Sequence, residues 1–274
     1  MVETLPLKSC LSFIHIPKTG GYSMELARLR ADGIRAPEGK ECAEQIQRMR
    51  REESGSRSNV AVSMLSISKS GASHRSSLGR FWGACDDQMA CSYPKGSGFR
   101  CDLPKVRNLP GSKSRLSKSC SRWHVPPGLD PVMAQSLTKD CDAFVVVREP
   151  MERMLSEFNW LKTSNCTSEL FEDFVHKSLN QAASGNDCHF LPQVYYVFEN
   201  GDYQHGKLLS RHILHLKRLN SEFPTLMARY GNRYSHVRLG APQHPGRKCR
   251  ITPTKRTEEL VKNFYAADYE AFGF

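Results

Sequence analysis

At 274 residues the chain is long enough for one sizeable domain that buries roughly three quarters of its unfolded surface. Lys and Arg exceed Asp and Glu by 39 to 28, for a formal charge of +11. That basic balance suits an anionic glycan, a nucleic acid or an anionic lipid alike, so charge by itself selects no partner. No run reaches the ~20 apolar residues of a membrane-spanning helix, and the opening residues do not read as a signal peptide.

The first element is the most informative. Residues 11–16 read as a short buried strand that Pro17 ends. Gly20 and Gly21 permit a tight turn, and Ser23 opens a helix. A strand–loop–helix unit of this kind directs backbone N–H groups and the positive helix end at one point, which suits a phosphate or sulfate. Lys18 adds an ammonium, and Thr19 and Ser23 add hydroxyls. The ATP-type loop G-x-x-x-x-G-K-[ST] is not matched, because here the lysine precedes the glycines. A phosphate-bearing nucleotide other than conventionally held ATP is expected.

The next hundred residues read as an insertion. Residues 41–57 are charged and compatible with a helix, and 60–67 with a strand. Residues 68–80 are Ser/Gly-rich loop. Between 100 and 122 the chain gathers Arg100, Lys105, Arg107, Lys113, Arg115, Lys118 and Arg122 against Asp102 alone. That run fits a groove for an acidic polysaccharide or a solvated basic loop.

Residues 143–147 (Ala-Phe-Val-Val-Val) form an apolar, β-branched run, as expected of a central parallel strand buried on both faces. A helix follows, with Pro150 in its first turn and Met154, Leu155, Phe158 and Leu161 as its apolar stripe. Arg148 stands at the carboxyl end of the strand, where open α/β sheets bind ligands. Ser156, two turns on, could share an anion with it. Further elements are a helix over 169–179, strand or mixed structure over 206–215, and a helix over 258–272 with Leu260, Val261, Phe264 and Tyr265 on one side; for 188–198 a capped turn before a buried strand is the plain alternative to a binding role.

With HIPKTGGYS at 15–23 and VREPMERMLSEF at 147–158, the chain resembles the carbohydrate sulfotransferases that use 3′-phosphoadenosine 5′-phosphosulfate (PAPS). The resemblance implies a single sulfotransferase domain over 1–274, carrying a basic Ser/Cys-containing insertion at about 35–120. Its expected fold class is α/β: a P-loop-NTPase-like three-layer fold with a mainly parallel central sheet flanked by helices. Lys18, Thr19, Gly20, Gly21, Tyr22 and Ser23 would cradle the phosphosulfate, with Tyr22 standing where the family has threonine or serine. Arg148 and Ser156 would hold the 3′-phosphate. Arg247 and Lys248 are candidates for the basic loop that precedes the carboxy-terminal helix in these enzymes, and the YAADYEAFGF tail at 265–274 resembles that helix.

Sulfuryl transfer needs positive charge on the leaving phosphate and a base for the acceptor proton, with positioning and electrostatics doing most of the work. Lys18 is the expected leaving-group stabiliser and His124 the expected base, because imidazole titrates near neutrality. His124 lies in CSRWHVPP at 120–127, similar to the region that carries the catalytic histidine in heparan sulfate 6-O-sulfotransferases. A histidine packed beside Trp123 is the plainer alternative. His189 and Gln193 resemble an H-x-x-P-Q element near the acceptor in that superfamily, so both are expected to bind substrate. His15 belongs to the loop motif but is expected to orient the loop or pack against the sheet.

The expected activity is therefore transfer of sulfate from PAPS, as co-substrate, to a carbohydrate hydroxyl on a glycan or polysaccharide. No metal and no nucleic-acid partner are expected. Rival readings are a catalytically inactive sulfotransferase-like protein that binds nucleotide or polyanion, a P-loop kinase, and a nucleic-acid module resting on charge. Ten cysteines are many for a cytosolic enzyme. Cys85, Cys91 and Cys101 lack C-x-x-C spacing and clustered histidines, so disulfides inside the insertion are expected rather than zinc. Asn165-Cys166-Thr167 is a glycosylation sequon. Family members are anchored in the Golgi membrane and act in its lumen. That location is expected here, with a soluble cytoplasmic enzyme as the alternative, since no anchor is visible in the chain.

Overall fold

The structure is a computed structural model that describes residues 6–8, 10–21, 23, 24, 27, 124–139, 141–161, 166–182, 188–231, 234, 237–239 and 250–274. The expected elements at 41–57, 60–67 and 68–80, the basic run at 100–122, and Tyr22, Asn165, Arg247 and Lys248 lie outside the described residues.

Three parallel strands form an open sheet: β1 (Leu11–Ile14), β2 (Asp142–Val147) and β3 (His212–His215), in the order β1-β2-β3. Phe13 faces Phe144 across the first pair, and Val145 faces Ile213 across the second. As expected, β2 is central and buried along its whole length, which explains its lack of polar alternation. Cys10 and Cys141 join the entrances of β1 and β2 through a disulfide that spans 131 positions of sequence.

Helices are α1 (Pro131–Thr138), α2 (Pro150–Trp160), α3 (Ser168–Asn180), the single turn α4 (Val194–Val197), α5 (Leu219–Arg229), α6 (Lys255–Phe264) and α7 (Ala266–Phe272). Successive side chains of β2 point to opposite faces, and each face has its own cover. Ala143, Val145 and Val147 pack with Met133 and Leu137 of α1, Val194 and Val197 of α4, and Phe272 of α7. Phe144 and Val146 pack on the other side with Met24, Ala27, and Leu219, Phe223, Leu226 and Met227 of α5. The fold is thus α/β, a small open parallel sheet with helices on both faces. A third cluster, from Met154 and Phe158 of α2, Phe171 and Val175 of α3 and Val261 of α6, lies beside the sheet.

Three local expectations need correction. The stretch read as a buried strand near 194–198 is the helical turn α4, with strand-like pairing confined to a bridge between Phe198 and Leu208. An apolar run of this length cannot distinguish strand from buried helix. The carboxy-terminal helix is two helices meeting at Tyr265. Leu161 is not part of the α2 stripe: it is the C-cap residue and is 54% exposed.

Candidate active site

The loop after β1 follows from its own residues. Lys18 and Gly20 both have left-handed backbone, at φ 66° and 94°, and glycine adopts the second without strain. Thr19 is fully buried, and its hydroxyl donates to the Ile16 carbonyl at 2.9 Å. That proton closes the turn, so the Thr19 hydroxyl is not a free donor to an incoming anion, which leaves the loop's backbone N–H groups, Lys18 and the Ser23 hydroxyl. The amides of Ser23 and Met24 donate to the Gly20 carbonyl at 2.9 and 3.3 Å, which starts the helix. A Cβ on Gly21 would come within 2.5 Å of the His15 ring. His15 therefore packs against the loop and supports it, the role read for it from sequence.

The segment after β2 is held from a distance. Glu149 caps α2 by accepting from the amides of Met151 and Glu152 at 3.1 and 2.7 Å. Arg148 is pinned at three atoms. Its amide donates to Gln193 Oε1 at 2.9 Å, its carbonyl accepts from Gln193 Nε2 at 2.8 Å, and its Nη1 donates to the Lys18 carbonyl at 3.1 Å. Those two backbone partners fix which end of the Gln193 amide is oxygen. Gln193 is fully buried, so its side chain serves to position Arg148. Behind it Asp268 of α7 accepts from the amides of Gln193 and Val194, at 2.9 and 3.0 Å, and from Gln193 Nε2 at 3.2 Å. Burial raises the Asp268 carboxyl to about 6, against these hydrogen bonds. Tyr269 donates to Glu149 from the same helix.

Arg153 joins three segments. Its guanidinium donates to the carbonyls of Pro17 at 3.0 Å, Leu191 at 2.8 Å and His189 at 2.6 Å. One buried cation thus ties the β1 loop to the 188–193 turn. Tyr196 does the same for another pair, donating to the carbonyls of His124 and Cys188 at 2.9 and 3.2 Å.

These supports bring the expected residues together at the carboxyl edge of the sheet. The His124 ring lies between two others, with centroids 5.1 Å from His15 and 4.7 Å from His189, both edge-on. His189 Nδ1 is 3.0 Å from Glu157 Oε2, and Lys18 Nζ is 3.9 Å from the same oxygen. Lys18 also sits over the Trp160 ring at 4.4 Å. Burial lowers the Lys18 ammonium from its ordinary value, Glu157 opposing and Arg148 adding to the effect. Burial would push the Glu157 carboxyl up, but His189, Lys18 and Arg153 together hold it below its ordinary value.

Ser156 is half-buried on α2, four residues beyond Glu152, which lies 3.9 Å from Arg148 Nε and 2.9 Å from Lys217 Nζ. Spacing of four residues puts Glu152 and Ser156 on one helix face. Lys217, in the 3-10 turn after β3 (Leu216–Arg218), thus brings a third cation to this edge. No sequence motif singled out Lys217 or Glu157. Arg153 is a fixed position of the VREPMERMLSEF element and Asp268 of the YAADYEAFGF tail, but the sequence assigned neither a role.

Whether the edge fits an anionic nucleotide can be tested on its unmatched groups. Among the described residues, Arg148 Nε and Glu157 Oε2 are buried side-chain atoms without a hydrogen-bond partner, Glu157 Oε2 facing His189 Nδ1 and Lys18 Nζ. A buried guanidinium N–H left unpaired costs free energy that an anion beside it would recover. Lys18, desolvated and next to the loop amides, adds to the fit. The arrangement can bind a polyanion at Lys18 and Arg148 and offer imidazole to a nearby hydroxyl. A separate cavity of about 410 Å³ along β3 and α5, lined by Arg211, His212, Glu222 and Arg229, is not where these residues meet. Among the described residues no group of His, Cys, Asp and Glu is arranged to hold a metal ion, and no helix is long and apolar enough to cross a membrane. Comparison with family models, curated proteins and solved structures finds no match to this chain.

Proposed function

We propose that this protein is a PAPS-dependent sulfotransferase with a P-loop-NTPase-like fold, transferring sulfate to a hydroxyl of a glycan or polysaccharide. The observation that carries the reading is the joining of its two anion-recognition segments. Arg148 donates directly to the Lys18 carbonyl, so the loop read for the phosphosulfate and the arginine read for the 3′-phosphate share one edge of a parallel sheet. His124 and His189 stand at that same edge.

In this account Lys18 and the loop amides hold the 5′ end of the donor, and Arg148 with Ser156 holds the 3′-phosphate. His124 takes the proton from the acceptor hydroxyl as its oxygen bonds to sulfur. The S–O bond to the nucleotide phosphate breaks, and Lys18 stabilises the charge left on that phosphate oxygen. Preorganised charge in a site sheltered from water is the main source of rate.

The disulfides bear on compartment. Cys10 pairs with Cys141, and Cys166 and Cys188 are also disulfide-bonded. Such bonds persist in oxidising compartments, which favours the Golgi lumen over the cytoplasm for this protein.

The test is transfer of radiolabelled sulfate from PAPS to a panel of glycosaminoglycans and other polysaccharides. Lys18→Ala and His124→Ala should each lower turnover at least about a thousandfold, with His124→Ala leaving nucleotide binding nearly intact. Full activity in either variant would remove that residue's assigned role. Tight nucleotide binding without transfer to any acceptor would favour a non-catalytic binding protein.

A further inference from the structure

We infer that Glu157 is a positioning residue that couples donor binding to the proton-accepting histidines, an inference that rests on the sulfotransferase reading. Its carboxylate oxygen Oε2 is shared between the two halves of the chemistry, 3.9 Å from Lys18 Nζ and 3.0 Å from His189 Nδ1. The side chain is 8% exposed, so these charges act on each other with little screening by water.

The geometry defines what each partner receives. A carboxylate at Nδ1 favours the tautomer with hydrogen on that nitrogen and leaves Nε2 as the basic atom, as carboxylate–imidazole pairs do elsewhere. His189 in turn meets the His124 ring edge-on at 4.7 Å, and His124 meets His15 at 5.1 Å. Arg153, the other cation near Glu157, is committed to the carbonyls of Pro17, Leu191 and His189 and is not released by ligand. Lys18 is the partner able to change, because its hold on Glu157 is long and its other contact is the face of Trp160.

An anion bound at the β1 loop draws Lys18 toward itself. The Glu157 charge is then shared by His189 and the committed Arg153 only, and the imidazole pair becomes more basic once the donor is in place. Acceptor deprotonation is thereby favoured in the ternary complex over the empty enzyme. No proton need reach Glu157: it remains a carboxylate throughout and acts through His189.

The experiment is a histidine-ring NMR titration with and without 3′-phosphoadenosine 5′-phosphate, His189 being assigned by a His189→Gln variant. In the wild type the nucleotide should raise the His189 midpoint by about one pH unit. In Glu157→Gln the rise should be less than about half of that, and kcat should fall roughly tenfold to a hundredfold with the donor KM little changed. Glu157→Asp should recover part of kcat. An equal rise in both proteins, or no rise in a wild type that binds nucleotide, would overturn the inference while leaving the sulfotransferase reading intact. Failure of the wild type to bind nucleotide would remove both. Should Glu157→Gln not fold, Glu157→Asp replaces it in the same titration: a rise smaller than in the wild type is expected, and an equal rise would overturn the inference.

Discussion

The two segments that we read as anion-recognising, both at the sheet edge, are built by different means. The loop after β1 takes its shape locally, as Thr19 closes on Ile16, Gly20 takes the left-handed position and His15 lies under Gly21, while Arg153 and Arg148 brace its Pro17 and Lys18 carbonyls. The segment after β2 depends on residues far away in sequence. Gln193 grips the Arg148 backbone from 45 positions on, and Asp268 grips Gln193 from a further 75. A locally closed turn keeps its shape when most distant residues change, its two arginine braces excepted, whereas a relayed segment fails wherever a relay residue fails. The carboxy-terminal helix α7 thus supports the Arg148 segment from behind, through Gln193.

That contrast can be broken or sharpened by substitution, beginning with the largest effects. Removing the Cys10–Cys141 disulfide, which closes 131 positions of sequence, should cost about 4–5 kcal/mol on the chain-entropy account, read as a lower denaturant midpoint. Arg153→Ala should cost about 3–5 kcal/mol, because three buried carbonyls lose one charged donor. It should also loosen both segments, since Arg153 joins the β1 loop to the 188–193 turn. Asp268→Ala should cost roughly 2–4 kcal/mol and weaken nucleotide binding although it touches no ligand, whereas Lys18→Ala should spare stability and abolish turnover. Smallest is Thr19→Val, about 1 kcal/mol for one lost hydrogen bond.

Asp268 also makes a pH prediction. Its folded-state value, about 6, lies above its ordinary 3.8, so the native state holds its proton more tightly than the unfolded chain. The contribution is full below the unfolded value and is lost as pH rises from about 4 through about 6. Glu157 and Asp142, both held below their ordinary values, act oppositely and cost stability as pH falls through the carboxylate range. Asp268→Asn should remove the first component alone. The difference in unfolding free energy between it and wild type should then vary between pH 4 and 7 and flatten above.

The same division explains what could be read from sequence. The central place of β2, its parallel pairing and the helix start at Pro150 arise from local pattern, and the β1 loop carries its chemistry in consecutive residues. Gln193 could be singled out but not its task, because its partners are a backbone 45 residues back and a carboxylate in the last helix. Glu157 lay in plain view as a helical residue. The approach of His189 from the 188–193 turn and of Lys18 from the β1 loop makes it more than a solvated carboxylate. The 194–197 turn was misread because burial on every side erases the periodicity that separates strand from helix.

The central claim is that Lys18 and Arg148 form one site for a 3′,5′-bisphosphate nucleotide, and calorimetric titration with 3′-phosphoadenosine 5′-phosphate tests it most directly. The account predicts one-to-one binding that weakens at least about tenfold in Arg148→Ala and in Lys18→Ala, a loss of ~1.4 kcal/mol or more in each, and that weakens in Gln193→Ala through the Arg148 backbone. A folded wild type that does not bind, or one that binds equally well without Arg148, would contradict it.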